Sequence, residues 1–184
     1  MKKIKVLSVV FSIFAFANVH SQDLSSDSHT IGITIPSVAI VDIEPEASKS
    51  ITMAFTAPTE AGLSAVAPAN NTSLWLNYSF IPTAVNLKAN ISVEIDALVP
   101  GVDISVKAAA PTTTVSGGTL GNALTTAVVL SSSPTNIISD IGASYTGDGA
   151  SNGYNLTYSL ASTTDYANLY AQTPSVTVTY TISE

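Results

Sequence analysis

From Val85 to Asp96 the chain alternates without a break. Val85, Leu87, Ala89, Ile91, Val93 and Ile95 fall on one side, and Asn86, Lys88, Asn90, Ser92, Glu94 and Asp96 on the other. Successive side chains of a strand point to opposite faces, so this predicts a long strand with one buried and one wet face. The C-terminal segment repeats the device, with Val176, Val178, Tyr180 and Ile182 set against Ser175, Thr177, Thr179, Thr181 and Ser183. Shorter runs follow the same period. Thr30–Ile35 lines up Ile31, Ile33 and Ile35, and Ser50–Thr56 lines up Ile51, Met53 and Phe55. Ser73–Phe80 puts Leu74, Leu76, Tyr78 and Phe80 on one face and Trp75 on the other. Val38–Glu44, Val102–Ala108, Leu124–Leu130, Ile137–Tyr145 and Tyr154–Leu160 complete the predicted strands.

Helical periodicity is missing over any useful length; Thr164–Tyr170 suits one short helical turn. Proline and glycine separate the runs, at Pro36, Pro45, Pro58, Pro68, Pro82, Pro100-Gly101, Pro111, Pro134, Gly147–Gly153 and Pro174. Residues 57–71, rich in Ala, Pro, Gly and Asn, read as a long loop within a domain. The pattern predicts an all-β fold, an antiparallel Ig-like β-sandwich of about 8–10 strands.

The first residues do not fit this scheme. Lys2, Lys3 and Lys5 precede an apolar run from Val6 to Ala17, and small residues stand at −3 and −1 of a cut between Ser21 and Gln22. That is the form of a secretory signal peptide over residues 1–21. The run is shorter than the ~20 apolar residues a membrane span needs. A single β-sandwich domain is then expected over residues 22–184, exported to the periplasm, the cell surface or the medium, without membrane insertion.

The leader also holds three of the six lysines, while all thirteen acids follow it, so the remainder carries −10 rather than −7. There is no arginine. A chain so poor in cations is unsuited to neutralising phosphates, which argues against nucleic-acid partners. Without cysteine it forms no disulfide, in a compartment that permits them.

Candidate chemistry is sparse. After the leader the only histidine is His29, in a polar arm with no nucleophile motif near it, and triad catalysis needs convergent groups. The acids sit in loops or alternate with apolar residues on strands. The sequence therefore predicts no enzyme, no catalytic residues and no cofactor. Two features remain as binding candidates. In Ser144–Tyr154, Asp148 and Asn152 with loop carbonyls offer oxygen ligands of the kind calcium takes, but Asp-Gly and Asn-Gly are the strongest local turn signals, and a structural turn between two strands is the preferred reading. Trp75, turned away from the apolar face of its strand, is the candidate platform for a glycan. The reading preferred is a tryptophan packed between sheets after a register shift, or under a loop.

Asn71–Ser79, Tyr145–Leu160, Val176–Ile182 and the opening from Ile31 to Ile43 together resemble small exported β-sandwich proteins of the fimbrial-subunit and spore-coat-like kind. The chain departs from many of these in lacking a cysteine pair. The resemblance implies an Ig-like sandwich with a structural or adhesion-type role at the surface, and no catalytic residues. Independently, the arm from Gln22 to Ile35 is a polar leader followed by an alternating strand. Such a segment can complete a neighbour's sheet by β-strand addition, or form the first strand of its own sandwich. The function expected is that of an exported structural or adhesion-type protein, with self-assembly or other surface proteins as partners. The alternative is a secreted carbohydrate- or calcium-dependent binding module.

Overall fold

The computed structural model describes residues 25–112 and 115–184. The leader and the Ser21–Gln22 cut lie outside the described residues. Strands form where alternation meets a partner: β1 (Val38–Glu44), β2 (Asn71–Ile81), β3 (Ala89–Ile95), β4 (Val102–Ala109), β5 (Gly117–Gly118), β6 (Asn122–Ala123), β7 (Val128–Val129), β8 (Thr135–Ile141), β9 (Ser144–Tyr145), β10 (Tyr154–Ser162) and β11 (Val178–Ser183). One sheet has the order β5-β9-β2-β10-β4-β7, with β1 paired to β2; the other runs β11-β3-β8-β6, and every pairing is antiparallel. The two sheets pack face to face as an all-β sandwich. All eleven strands belong to the compact unit of residues 35–184.

The predicted phases hold in the longest strands. Leu74, Leu76, Tyr78 and Phe80 of β2 and Ala89, Ile91, Val93 and Ile95 of β3 are buried in one core with Val106, Leu156 and Ile138. Each large apolar side chain so placed contributes about 1.5–3 kcal/mol. The predicted helical turn is a 3₁₀ turn at Tyr166–Asn168.

Besides Thr30–Ile35, which forms no strand, four predicted strands are altered, each for a local reason. Ile137–Tyr145 divides at Gly142, because β8 stays in one sheet while β9 pairs in the other. Leu124–Leu130 likewise spans a crossing between sheets, so only Val128–Val129 pairs, and Leu124 is 42% exposed while Leu130 is buried. The Val85 strand starts at Ala89. Its partners stop at Ile141 (opposite Ala89) and Ser183 (opposite Asn90), so Val85 and Leu87 find no ladder and are 88% and 65% exposed. Ser50–Thr56 keeps its alternation, with Ile51, Met53 and Phe55 half-buried, yet joins a ladder only through the Thr56–Val66 bridge. With the extra short strands, the described residues hold eleven, of which seven have six residues or more.

β2 is shared by three neighbours. β1 pairs along Trp75–Ile81 on one side; on the other, β10 pairs up to Leu76 and β9 takes Ser79 and Phe80. Between them the fully buried Thr146 closes the ladder. The Tyr78 N–H donates to Thr146 Oγ1 at 3.0 Å, and the Thr146 N–H donates to the Tyr78 carbonyl at 3.1 Å. One residue further, Asn77 Nδ2 donates to the Gly149 carbonyl at 3.0 Å. A buried donor deprived of its acceptor costs about 1–3 kcal/mol. Thr146→Val, which keeps the shape but removes the hydroxyl, should lower unfolding free energy by about that amount in urea titrations. Thr146→Ser should lose less. Equal losses in the two variants would show that the hydroxyl is not what matters there.

Candidate functional site

The N-terminal arm is described from Ser25 onward. Thr30–Ile35, predicted as a strand, is not one: residues 26–37 belong to no strand or helix. Ile31, Ile33 and Ile35 are 71%, 79% and 73% exposed. Their β-branched, alternating pattern favours extended backbone, but no described strand pairs with it. His29 in the same arm is exposed.

At one side of the sandwich both sheets end in a long unpaired edge. Among the described residues β1 pairs only with β2, and β11 pairs only with β3. Between these edges lies a seam of about 170 Å³ lined by Val41, Asp42, Ile43, Lys49, Val178 and Tyr180. The inward residues of β11 are only half-buried, whereas those of β3 are fully buried. Lys49 Nζ binds Asp42 Oδ1 at 2.9 Å across the seam's rim, and this bond is the chief reason the Asp42 carboxyl is held below its ordinary value. The approach to β11 is fixed by Asp96. Its carboxylate accepts from the Thr177 N–H at 2.8 Å, and its own N–H donates to the Thr177 carbonyl at 3.1 Å. Deeper in, the Tyr158 and Tyr180 hydroxyls share a 2.6 Å hydrogen bond between the two sheets. Burial pushes both phenols up, so both remain neutral.

The outer face of the larger sheet divides into a polar and an apolar half. Trp75 lies on it, half-buried, between Glu44 of β1 and Asn155 of β10. It is therefore not packed between the sheets. Asn155 Nδ2 donates to the carbonyls of Thr72 and Leu74. At the other end, Val38, Ile81, Gly117 and Tyr145 line an open cradle of about 450 Å³. The Tyr145 ring lies across Gly117, where a Cβ would meet the ring 2.8–2.9 Å away, and this leaves the tyrosine 54% exposed.

The Gly147–Gly153 stretch turns the chain from β9 into β10. Gly147, Gly149, Ser151 and Gly153 all have positive φ. A side chain on Gly153 would collide with Asn77 Oδ1 and the Leu76 carbonyl. Asn152 Nδ2 donates to the Asp148 carbonyl, and the Asn152 N–H donates to that of Gly149. The two calcium candidates are thus brought together, with the Asn152 amide nitrogen turned onto the Asp148 main chain. Among the described residues no three His, Cys, Asp or Glu side chains gather as a metal ion would require.

The edge seam could not be read from alternation, since period two marks an inward face but not whether a strand has one neighbour or two. Comparison with protein-family models, curated proteins and solved structures finds no match for this chain.

The acids that pin this region set an acid limit on stability. Asp42, Asp96 and Asp140 are all held below the ordinary 3.8, Asp96 chiefly by the backbone bond from Thr177 and Asp140 by Lys88. A lowered folded-state value means the stabilisation is complete above the unfolded value and is lost as pH falls below it. The urea midpoint should therefore drop as pH falls from 3.8 downward. Asp96→Asn, which retains an acceptor oxygen but not the charge, should make that drop shallower; an unaltered acid profile would rule Asp96 out as a contributor.

Proposed function

We propose that this chain is an exported, non-enzymatic structural or adhesion-type surface protein of the fimbrial-subunit kind, which self-assembles through its N-terminal arm. The observation that carries the reading is the exposure of Ile31, Ile33 and Ile35 in a segment that alternates like a strand but joins no described ladder. Three bare isoleucines in a row are a poor solvent-facing surface and a good strand for another sheet. The signal-like leader supports export.

Protein recovered after expression of the full chain should run in light scattering as concentration-dependent oligomers. Ile31→Asp with Ile33→Asp should leave it monomeric without lowering its melting temperature. A wild type that stays monomeric across the concentration range ends this reading.

A second reading rests on Trp75, set between Glu44 and Asn155 on an outer face. An indole flanked by polar groups offers stacking and hydrogen bonds to a sugar ring. Because Trp75 is the only tryptophan, its fluorescence reports on that face alone. Titration with soluble oligosaccharides should shift the emission if the face binds glycan, and an unchanged spectrum removes Trp75 as a platform.

A further inference from the structure

At its apolar end, the outer face of the larger sheet sets four residues side by side. Ile40, Ser79, Tyr145 and Gly117 pair in turn across β1, β2, β9 and β5, and Val38 opposite Ile81 forms the next row. Gly117 fixes the arrangement. The hydroxyl end of the Tyr145 ring lies over it, where a Cβ would stand 2.8–2.9 Å from ring atoms. The ring is thus laid on the sheet while the residue stays 54% exposed. A platform already held in place loses little freedom when something stacks on it.

Size, charge and shape narrow what this cradle can take. Its rows span three inter-strand gaps of about 4.8 Å and one strand repeat of about 6.7 Å, a footprint on the order of 100–200 Å². A stable protein interface needs about 800 Å² on each partner, so the size suits a ligand of one or two rings. None of the residues lining it is charged, and an ionic group would lose water there without gaining a counter-charge. The cradle is open, so a bound molecule keeps one side wet, and a wholly apolar ligand would gain little by entering. The exposed Ser79 hydroxyl stands beside the ring. The ligand that satisfies all of this has an apolar ring face and a rim of uncharged hydroxyls.

We infer that this cradle binds a neutral sugar ring, its C–H face stacked on Tyr145, a hydroxyl bonded to Ser79 Oγ, and Val38 and Ile81 walling one side. This rests on the glycan-binding reading above and moves its platform from Trp75 to Tyr145. Trp75 lies four residues before Ser79 on β2, about 13 Å away along the strand, with Glu44 beside it. The two aromatic positions are therefore separable by mutation.

The test titrates the full chain with neutral hexasaccharides of glucose, mannose, xylose and N-acetylglucosamine, and with an anionic oligogalacturonide, following saturation transfer and Kd by NMR. At least one neutral sugar should bind, more tightly than the anionic one. Tyr145→Ala should weaken it about tenfold, as loss of a stacking ring does, whereas Tyr145→Phe should stay within about threefold of wild type and Trp75→Ala should leave it unchanged. Gly117 does not have a positive φ, so Gly117→Ala leaves the backbone unstrained and acts by lifting the ring. It should weaken binding severalfold without removing any group that touches the sugar. Melting temperatures within a few degrees of wild type show that Tyr145→Ala, at an exposed position, is folded. Binding lost in Trp75→Ala and kept in Tyr145→Ala would overturn this site and leave the glycan reading standing. Equal losses in Tyr145→Phe and Tyr145→Ala would overturn the stacking, and tighter binding of the oligogalacturonide would overturn the neutral ligand. No binding of any neutral sugar by the wild type would overturn the site and the glycan reading together.

Discussion

Every other pairing in the larger sheet depends on how β2 keeps its main chain hydrogen-bonded while its neighbour on one side changes. β10 leaves at Leu76 and β9 arrives at Ser79. In the gap a buried threonine side chain and the amide of Asn77 stand in for backbone. Two tyrosines brace the same place from the core. Tyr78 and Tyr154 stack with ring centroids 5.9 Å apart. The Tyr78 hydroxyl accepts from the Gly121 N–H, and the Tyr154 hydroxyl donates to the Gly121 carbonyl. The approach to β6 is thereby tied to the centre of the opposite sheet. Unpaired buried polar groups are costly, so this small joint lets a single strand serve three partners.

The fold was legible where a strand remains in one sheet for its whole length. β1 has the boundaries its alternation predicted, β2 and β3 bury the predicted side chains over their paired lengths, and β11 half-buries them. Legibility fails where the chain changes sheets, as at Gly142 and between Ala123 and Val128. There the buried side must change along the run, and a period-two pattern has no way to announce the change. It also fails at strand ends: Val85 and Leu87 continue a perfect alternation past the last residue of either neighbour. Pattern describes what a segment is able to bury; the partner's length decides what it does bury.

The same distinction governs the candidate site. The arm was visible as an alternating segment, but not that residues 26–37 join no described strand or helix. Trp75 was correctly placed opposite Leu74 and Leu76, and its neighbours Glu44 and Asn155 became known only through cross-strand register. The Asp148 and Asn152 turn was readable from its glycines, with positive φ at Gly147, Gly149 and Gly153.

The Tyr158–Tyr180 hydroxyl pair has a mechanical meaning. Apolar contacts between two sheets are non-directional and permit sliding, whereas a short hydrogen bond between fixed rings resists it. The pair joins β10, paired along most of its length within the larger sheet, to β11, at the rim of the smaller one. A pull applied to β11 along its axis would load that bond in shear and pass tension into β10 and the strands on either side. The edge strand is keyed to the whole sandwich, and force on the rim is borne by both layers.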